Sequence, residues 1–535
     1  MSQHKQNQGR TMLQRPGQVG TTGAPSAGRG KVLPLEQLGP AIEAVRKGRR
    51  VVLCHGVFDL LHVGHLRHLK AARDFGDLLV VTITGDEFVN KGPGRPAFPS
   101  TLRAEMLAEL EVIDFVGVVE EASAHPAIRT VRPDFFVKGS EYSDPSKDIS
   151  GKIVTERELV ESFGGQLVFT EDITFSSSNL LNRYFNLHDQ PAREYLAGLR
   201  QTDFESRFNR LLDRIEKMRI VVVGETIVDH YVYVDAMGKA AKENIIATLY
   251  RDEEIFAGGV IAVANNLSAI CPNVELIAMI GDPASGDNHE EMIRRSLAPS
   301  VKATFVHKPS SPTVQKTRFV EPTYVRKLFE IYRMDDTALP ENVQVSFHAT
   351  LDEKLAQADL AVVCDFGHGM IDAGAVDRLQ RNAKFLAVNV QSNAGNIGYN
   401  LIDKYKRCDF MCVDAMEARL AVRDKHAAPA DIVARRLPTL VDCDNFIVTH
   451  GRAGCFVRKD GGALCIPSFG GAVVDTVGAG DAFFALSAPC VAAGADCEMA
   501  GFVGNVAGAI KIGIVGHRRY LSRFEIQRYV TTLLK

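Results

Sequence analysis

Short apolar runs alternate along this chain with stretches whose apolar positions recur at helical spacing. Residues 51–54, 78–84, 115–119 and 135–137 read as strands, and 35–47, 66–75, 101–110 and 125–131 as helices between them. Continuous apolar strands separated by amphipathic helices predict a parallel sheet covered on both faces. This first unit is expected to span residues 31–187. Residues 1–30 are rich in Gln, Gly, Ser and Thr and predict a disordered tail. Residues 188–215 are charged and helical in pattern, which predicts a helical linker. A second alternation fills 216–535, with strands at 220–223, 276–280, 360–364, 385–390, 410–413 and 446–449 and a small-residue helix over 480–493. The expected fold class is therefore α/β, with two doubly wound parallel-sheet domains. The halves share no motif and no solenoid period occurs, so duplication is not indicated.

Composition narrows the picture modestly. A chain of 535 residues exceeds one ordinary domain, and 46% hydrophobic residues suffice for real cores. A net charge of −3 gives no global reason to expect nucleic-acid or membrane binding. No apolar run reaches transmembrane length and no secretory h-region is visible. Ten cysteines are scattered without a CxxC pair, and most lie in apolar runs. They read as reduced core thiols of a cytoplasmic protein rather than as zinc ligands.

The candidate chemistry begins at Gly56-Val57-Phe58-Asp59-Leu60-Leu61-His62-Val63-Gly64-His65, between a strand and a helix. Two histidines three apart share one helical face. A helix start offers open N–H groups and a positive dipole end, which suits phosphate. His68 continues the spacing but rotates away, which argues against a metal triad. Lys91 and Arg95 in a Gly/Pro loop, and Arg103 at the next helix start, are candidates to neutralise phosphates. Lys138 and Gly139 end a strand, a ligand-binding position in an open parallel sheet. Ser176, Ser177 and Ser178 precede a helical pattern that they could cap while touching phosphate. The whole string resembles the HxGH signature of cytidylyltransferase-like nucleotidyltransferases, which have a Rossmann-like fold. Residues 45–185 are most similar to the adenylyltransferase half of the bifunctional heptose-phosphate enzymes that make ADP-heptose. The resemblance implies catalytic roles for His62, His65 and Lys138, nucleotide contacts at Gly56, Phe58, Lys91, Arg95, Arg103 and the three serines, and a substrate contact at Asp59. His55 departs from the small polar residue usual before this string.

A second constellation, Gly478-Ala479-Gly480-Asp481, places free N–H groups and a carboxylate at another helix start. Such a site can cradle phosphoryl oxygens and accept a hydroxyl proton. No GxxxxGK[ST] string occurs, which disfavours a P-loop kinase. With Gly224-Glu225-Thr226-Ile227-Val228-Asp229, the Gly258 and Gly259 pair leading to Asn265, and Thr449-His450-Gly451-Arg452-Ala453-Gly454, it resembles the ribokinase-like sugar kinases over 217–530. The resemblance implies Asp481 as base, and Gly478, Ala479, Gly480, Thr449, Gly451 and Gly454 on the nucleotide side. It implies sugar contacts at Asp229, Gly258, Gly259 and Asn265, and a role for Glu417 toward nucleotide and magnesium. Two departures stand out. Asp414 replaces the usual Asn of an N-x-x-E string, and Asn389-Val390-Gln391-Ser392-Asn393-Ala394-Gly395-Asn396 stands where related kinases carry an Asp-Pro string on the ATP side.

Together these features predict a cytoplasmic bifunctional enzyme that pairs a sugar or sugar-phosphate kinase with a sugar 1-phosphate nucleotidyltransferase. The domain order is the reverse of that in the heptose enzymes. ATP and Mg2+ are the expected cofactors, with CTP the rival in the first half. The alternative is an active nucleotidyltransferase fused to a catalytically silent sugar-binding or dimerisation module. Expected partners are small molecules and, because ribokinase-like folds often dimerise, a second copy through the kinase half.

Overall fold

The computed structural model describes residues 30–89, 95–139, 152–170, 188–471 and 473–535. Residues 1–29, Lys91, Ser176, Ser177 and Ser178 lie outside the described residues. Two compact units form. One holds the described residues through 88, 98–139 and 152–170, and the other holds 188–535 together with 89 and 95–97.

In the first unit, β1 (Val51–Gly56), β2 (Leu78–Thr84), β3 (Phe115–Val119), β4 (Phe135–Gly139) and β5 (Gln166–Thr170) form a parallel sheet in the order β3-β2-β1-β4-β5. The period of two in a strand sends Val52 and Cys54 into one core and Val51 and Leu53 into the other. That is why β1 reads as unbroken apolar sequence. The helices Leu35–Arg46, Val63–Arg73, Ser100–Ala108 and His125–Val131 fall where the sequence predicts them, with ends shifted by a few residues.

Arg103 departs from expectation. Its side chain is fully buried, not turned toward a phosphate. The guanidinium donates to the carbonyls of Val57 at 2.6 Å, Phe98 at 2.9 Å and Thr84 at 2.9 Å, and to the Asp86 carboxylate at 2.5 Å. The fork geometry of Arg thus clamps the loop after β1 to the end of β2 and the start of a helix.

The second unit contains β6 (Ile220–Lys239), β7 (Ile246–Gly259), β8 (Val274–Ile280), β9 (Val301–His307), β10 (Val314–Glu321), β11 (Arg326–Arg333), β12 (Leu360–Asp365), β13 (Leu386–Val390), β14 (Phe410–Asp414), β15 (Asn445–Thr449), β16 (Cys455–Lys459) and β17 (Gly462–Ile466). The main sheet runs β9-β8-β6-β12-β13-β14-β15 in parallel, and β16 and β17 extend it antiparallel. Strand β6 continues far beyond the expected 220–223. Its second half leaves the main sheet and pairs with β7 antiparallel and β10 parallel, and β11 closes on β10. These strands make a smaller sheet standing over the carboxyl ends of the main one.

The segment expected as a linker belongs to this second core. Its helices Gln190–Arg200 and Phe204–Ile215 bury Leu196, Leu199, Phe204, Phe208, Leu211, Leu212 and Ile215. Each such side chain contributes about 1.5–3 kcal/mol by leaving water, so the stripe docks the helices and does not leave them spanning solvent. All ten cysteines are thiols, nine of them buried. Among the described residues no helix is long and apolar enough to cross a membrane.

Replacing Arg103 by Leu strips three carbonyls, that of Thr84 buried, and a carboxylate of their donor. The expected cost exceeds about 2 kcal/mol, seen as an earlier urea transition by far-UV circular dichroism. An unchanged transition would show that the clamp is dispensable.

Candidate functional site

The first site forms where β1 runs into the helix Val63–Arg73. His62 is the N-cap, and its Nδ1 accepts the Gly64 N–H at 3.1 Å. That bond leaves the ring proton on Nε2. The His62 and His65 rings stack with centroids 3.9 Å apart, and Phe58 packs on His65 at 5.3 Å. Phe58 and Leu60 both adopt positive φ, 47° and 45°. Strained backbone of this kind is held only where surrounding contacts fix it. Asp59 does that holding here. It is buried, and its Oδ1 accepts N–H groups from Leu60 at 3.1 Å and Phe98 at 3.2 Å. Its shown role is therefore loop closure, and the N-cap is His62. Gly56 ends β1, where an added Cβ would lie 3.3 Å from the Phe58 ring.

Lys138 stands at the end of β4, as its sequence position predicts. Its ammonium pairs with the buried Glu156 at 3.0 Å and lies over the Phe136 ring. His55 sits between Thr82 and Thr84, and burial, with Lys138 and Lys152 nearby, lowers its pKa to about 3. It is neutral at physiological pH and belongs to the sheet end. His68 turns away to Thr170 at 2.8 Å. Arg95 precedes Pro96 through a cis peptide bond and groups with the other compact unit.

The second site gathers at the carboxyl ends of the main sheet. Antiparallel pairing of β6 with β7 sets Gly258 opposite Ile227 and Gly259 opposite Thr226. A Cβ on Gly258 would collide with the Asp229 carboxylate, so only glycine allows this approach. Gly478, at φ +74°, is the N-cap of the helix Ala479–Ala492 and has no side-chain cap. A Cβ there would lie 2.5 Å from the His517 ring, whereas one on Gly480 would meet nothing within 4 Å. His517 therefore bridges the two glycine elements, and its Nε2 lies 3.4 Å from Asp229.

Three carboxylates here differ in their compensation. Burial pushes Asp229 upward, but His517 and Arg318 outweigh it and hold its pKa down at about 2. Burial likewise opposes ionisation of Asp475. Hydrogen bonds from Lys327 at 2.5 Å, the Gly516 N–H at 2.9 Å and Tyr231 at 2.7 Å keep it charged below the usual range. Asp481 goes the other way. Desolvation dominates and raises its pKa, with Asp229 adding to the rise, against the Gln391 hydrogen bond, His517 and Lys316. Lys511, which donates to Val477 at 2.8 Å and Gly516 at 2.6 Å, ties the Gly478 loop, and burial lowers its pKa to about 8.

Two expected residues have other employment. Asn265 donates to the Ser296 carbonyl at 2.9 Å and accepts the Ala298 N–H at 2.8 Å. Both ends of its amide thus help tie a helix to a loop. Glu417 closes the capping box of the helix Ala415–Ala421, accepting N–H groups from Asp414 at 3.0 Å and Ser392 at 2.8 Å. Burial raises its pKa to about 7. Among the described residues no group of three or more His, Cys, Asp or Glu side chains is placed to hold a metal ion. Thr449 ends β15 beside Asp414 on β14. Gly451 and Gly454 follow with φ +52° and +88°, and a Cβ on Gly454 would strike the Ile466 carbonyl.

Sequence reasoning missed Gln391, His517, Lys316 and Arg318. Lys316 and Arg318 are two apart on one strand, as are Asn389 and Gln391 at a strand end, and that spacing puts each pair on one face. No pattern in the sequence singles out His517.

Comparison with known proteins follows this division. The cytidylyltransferase-like family model matches residues 53–183, and the pfkB family carbohydrate kinase model matches 217–521. The bifunctional protein HldE of Geobacter sulfurreducens is 43% identical over 143 residues, 26% of this chain and 28% of that protein. HldE of Syntrophotalea carbinolica is 38% identical over 148 residues, 27% of this chain and 29% of that protein. The chain thus aligns with under a third of the length of these relatives, over the nucleotidyltransferase region. The order of the two domains is reversed relative to HldE. Among solved structures, ribokinase from Thermotoga maritima is 18% identical with a TM-score of 0.46, covering 59% of this chain and 99% of that one. With more than half of its length in the match over 217–521, the chain belongs to the pfkB family of carbohydrate kinases and carries a cytidylyltransferase-like domain ahead of the kinase domain.

Proposed function

We propose that this chain is a bifunctional enzyme that phosphorylates a sugar or sugar phosphate and transfers a nucleotidyl group to a sugar 1-phosphate. The single observation that carries the kinase reading is the convergence of Asp229, Gly258 and the Gly478–Asp481 loop around His517. Asp481 is half-buried and has its pKa raised, whereas Asp229 is held ionised. Carboxylates pushed apart in this way take different tasks. Gln391 occupies Asp481 Oδ1, so Oδ2 takes the proton of the acceptor hydroxyl. The acceptor oxygen then bonds to the γ-phosphorus as the bond to the ADP oxygen breaks. Open N–H groups at the start of the helix Ala479–Ala492 receive the charge on the transferring oxygens. Magnesium, brought with the nucleotide, would neutralise phosphate charge.

In the first half, a phosphate oxygen of the acceptor attacks the α-phosphorus of the triphosphate and pyrophosphate leaves. His62 and His65 supply N–H donors to those oxygens, and Lys138 a positive charge. Adenylyl transfer, giving a product such as ADP-heptose, is the reading favoured by similarity to HldE, and CTP is the rival nucleotide. The thiol state of the cysteines fits a reducing cytoplasm.

One observation favours a second reading. Asp229 is already occupied by Arg318 and His517, as a sugar-binding module without turnover would tolerate. Mass spectrometry of the protein with magnesium, ATP or CTP, and a panel of sugar phosphates separates the two. An NDP-sugar with no phosphoryl transfer to any sugar would favour the silent module.

Asp481→Asn is expected to lower phosphorylation by about 10²–10⁴ and to spare pyrophosphate release. Loss of both activities, or of neither, would end the two-site reading. His65→Ala is expected to remove nucleotidyl transfer alone, and undiminished pyrophosphate release by this variant would refute the first-site assignment.

A second copy is the partner we assign to the kinase half. Met237 on β6, Leu249 and Ile255 on β7, and Phe329 and Ile331 on β11 are all exposed apolar residues of the smaller sheet. Light scattering is expected to give a dimer, and Leu249→Glu with Ile331→Glu a monomer. A monomeric wild-type chain would overturn this assignment.

A further inference from the structure

The string Asn389-Val390-Gln391 stands where the sequence lacks an expected Asp-Pro. Residues two apart at the end of β13 and just beyond it share a face, and both carry amides. Gln391 Nε2 donates to Asp481 Oδ1 at 2.7 Å and to Asn389 Oδ1 at 2.8 Å. Asn389 Nδ2 in turn donates to the Cys412 carbonyl at 2.7 Å on the neighbouring strand β14. The orientation of both amides follows from this chain. The Cys412 carbonyl can only accept, so Asn389 presents its oxygen to Gln391. Gln391 then presents nitrogen, never oxygen, to the base. Its backbone is held as well, since the Gln391 N–H continues the sheet pattern by donating to the Asp365 carbonyl at 2.9 Å.

We infer that Gln391 is a positioning residue for the kinase reaction: anchored through Asn389, it fixes the Asp481 carboxylate so that Oδ2 faces the acceptor hydroxyl. The inference rests on the reading of Asp481 as the base. A carboxylate with one oxygen held by an oriented donor cannot turn about its terminal torsion, so the proton-accepting lone pairs stay aligned. The same donor favours the ionised form, without which Asp481 could not accept a proton. Among the described residues Asp481 has no other hydrogen bond from a side chain. The remaining titratable groups around it come from several elements: Asp229 on β6, Lys316 on β10, the neutral Cys364 thiol on β12, Glu417 on the helix Ala415–Ala421, and Lys511 and His517 from the C-terminal segment. None of these replaces the directional bond.

The test reads Asp481 directly. In the full chain labelled with carboxyl-¹³C aspartate, the resonance absent from Asp481→Asn is titrated without any substrate. Gln391→Leu should move its midpoint up by about one pH unit or more, the loss of one charge-assisted hydrogen bond. Gln391→Glu, nearly the same shape, should move it further through like charge. Gln391→Asn, which keeps the amide on a shorter arm, should restore part of the shift. A midpoint in Gln391→Leu equal to wild type, with the melting temperature unchanged, would overturn the inference. The acid limb of kcat/KM for phosphoryl transfer should shift in parallel. Undiminished phosphorylation by Asp481→Asn would instead refute the reading of the base itself, a result distinct from an unmoved midpoint.

Discussion

A carboxylate removed from water has to be compensated, and the second unit is organised around that demand. Glu225, fully buried, accepts backbone N–H groups from Phe366, His368 and Met370. Its pKa still rises to about 7, chiefly by burial and then by Asp365 beside it. Asp365 has Tyr405 at 2.8 Å and Lys404 at 2.5 Å. Asp229 has Arg318 and His517, and Asp475 has a lysine, a tyrosine and two N–H groups. Each of these is paired or saturated by its neighbours. Asp481 alone is left with one directional donor and some access to solvent. Desolvation raises its pKa by more than that one bond and the nearby cations lower it.

That arrangement depends on β6. A strand ending at residue 223 would carry its apolar residues into the two cores of the main sheet and stop. By continuing to Lys239 it enters a second sheet, where β7 returns alongside it and β10 joins from the other edge. Asp229 comes from the continuation, the glycine pair from the end of β7, and Arg318 from β10. Asp229, the glycine pair and Arg318 are thus placed by strand pairing, not by loops, which gives them the rigidity of a ladder. Burial of Arg318 against Asp229 would be costly without Glu330 on β11, 3.1 Å from its Nε.

How much of this could be read from sequence follows from the same physics. The main-sheet strands are buried on both faces, so unbroken apolar runs such as Val221, Val222 and Val223 announce them. The strands of the smaller sheet are covered on one side only and mix Arg, Glu and Lys with apolar residues, so β7, β10 and β11 carry no such signal. Helices 190–215 were visible as helices, but their docking was not, because charge on the outer face masks an apolar stripe. Motif residues divide by backbone need. His62, Gly258, Gly478 and Asp481 are tied to turns and helix starts that sequence spacing marks. Arg103 and Asn265 have the right type near the right place, yet their donors are consumed by carbonyls that only the folded chain brings within reach.

Both sites use a helix start after a strand, but they treat its free N–H groups differently. His62 fills the N-cap with a side chain, which takes one N–H and in doing so fixes its own tautomer. The cap is itself an imidazole, whose other ring nitrogen carries the proton. Gly478 fills the equivalent place with nothing, and open space lies above Gly480. Here the backbone N–H groups are left without a side-chain cap, and Asp481 follows within the first turn. A helix start capped by its own reactive group is suited to steadying a phosphate that is already bound in extended form. One left bare is suited to receiving the charge of a phosphoryl group in transit, because its donors are satisfied only when that charge arrives. The glycines and the histidines are in this sense alternative answers to the same four unsatisfied N–H groups.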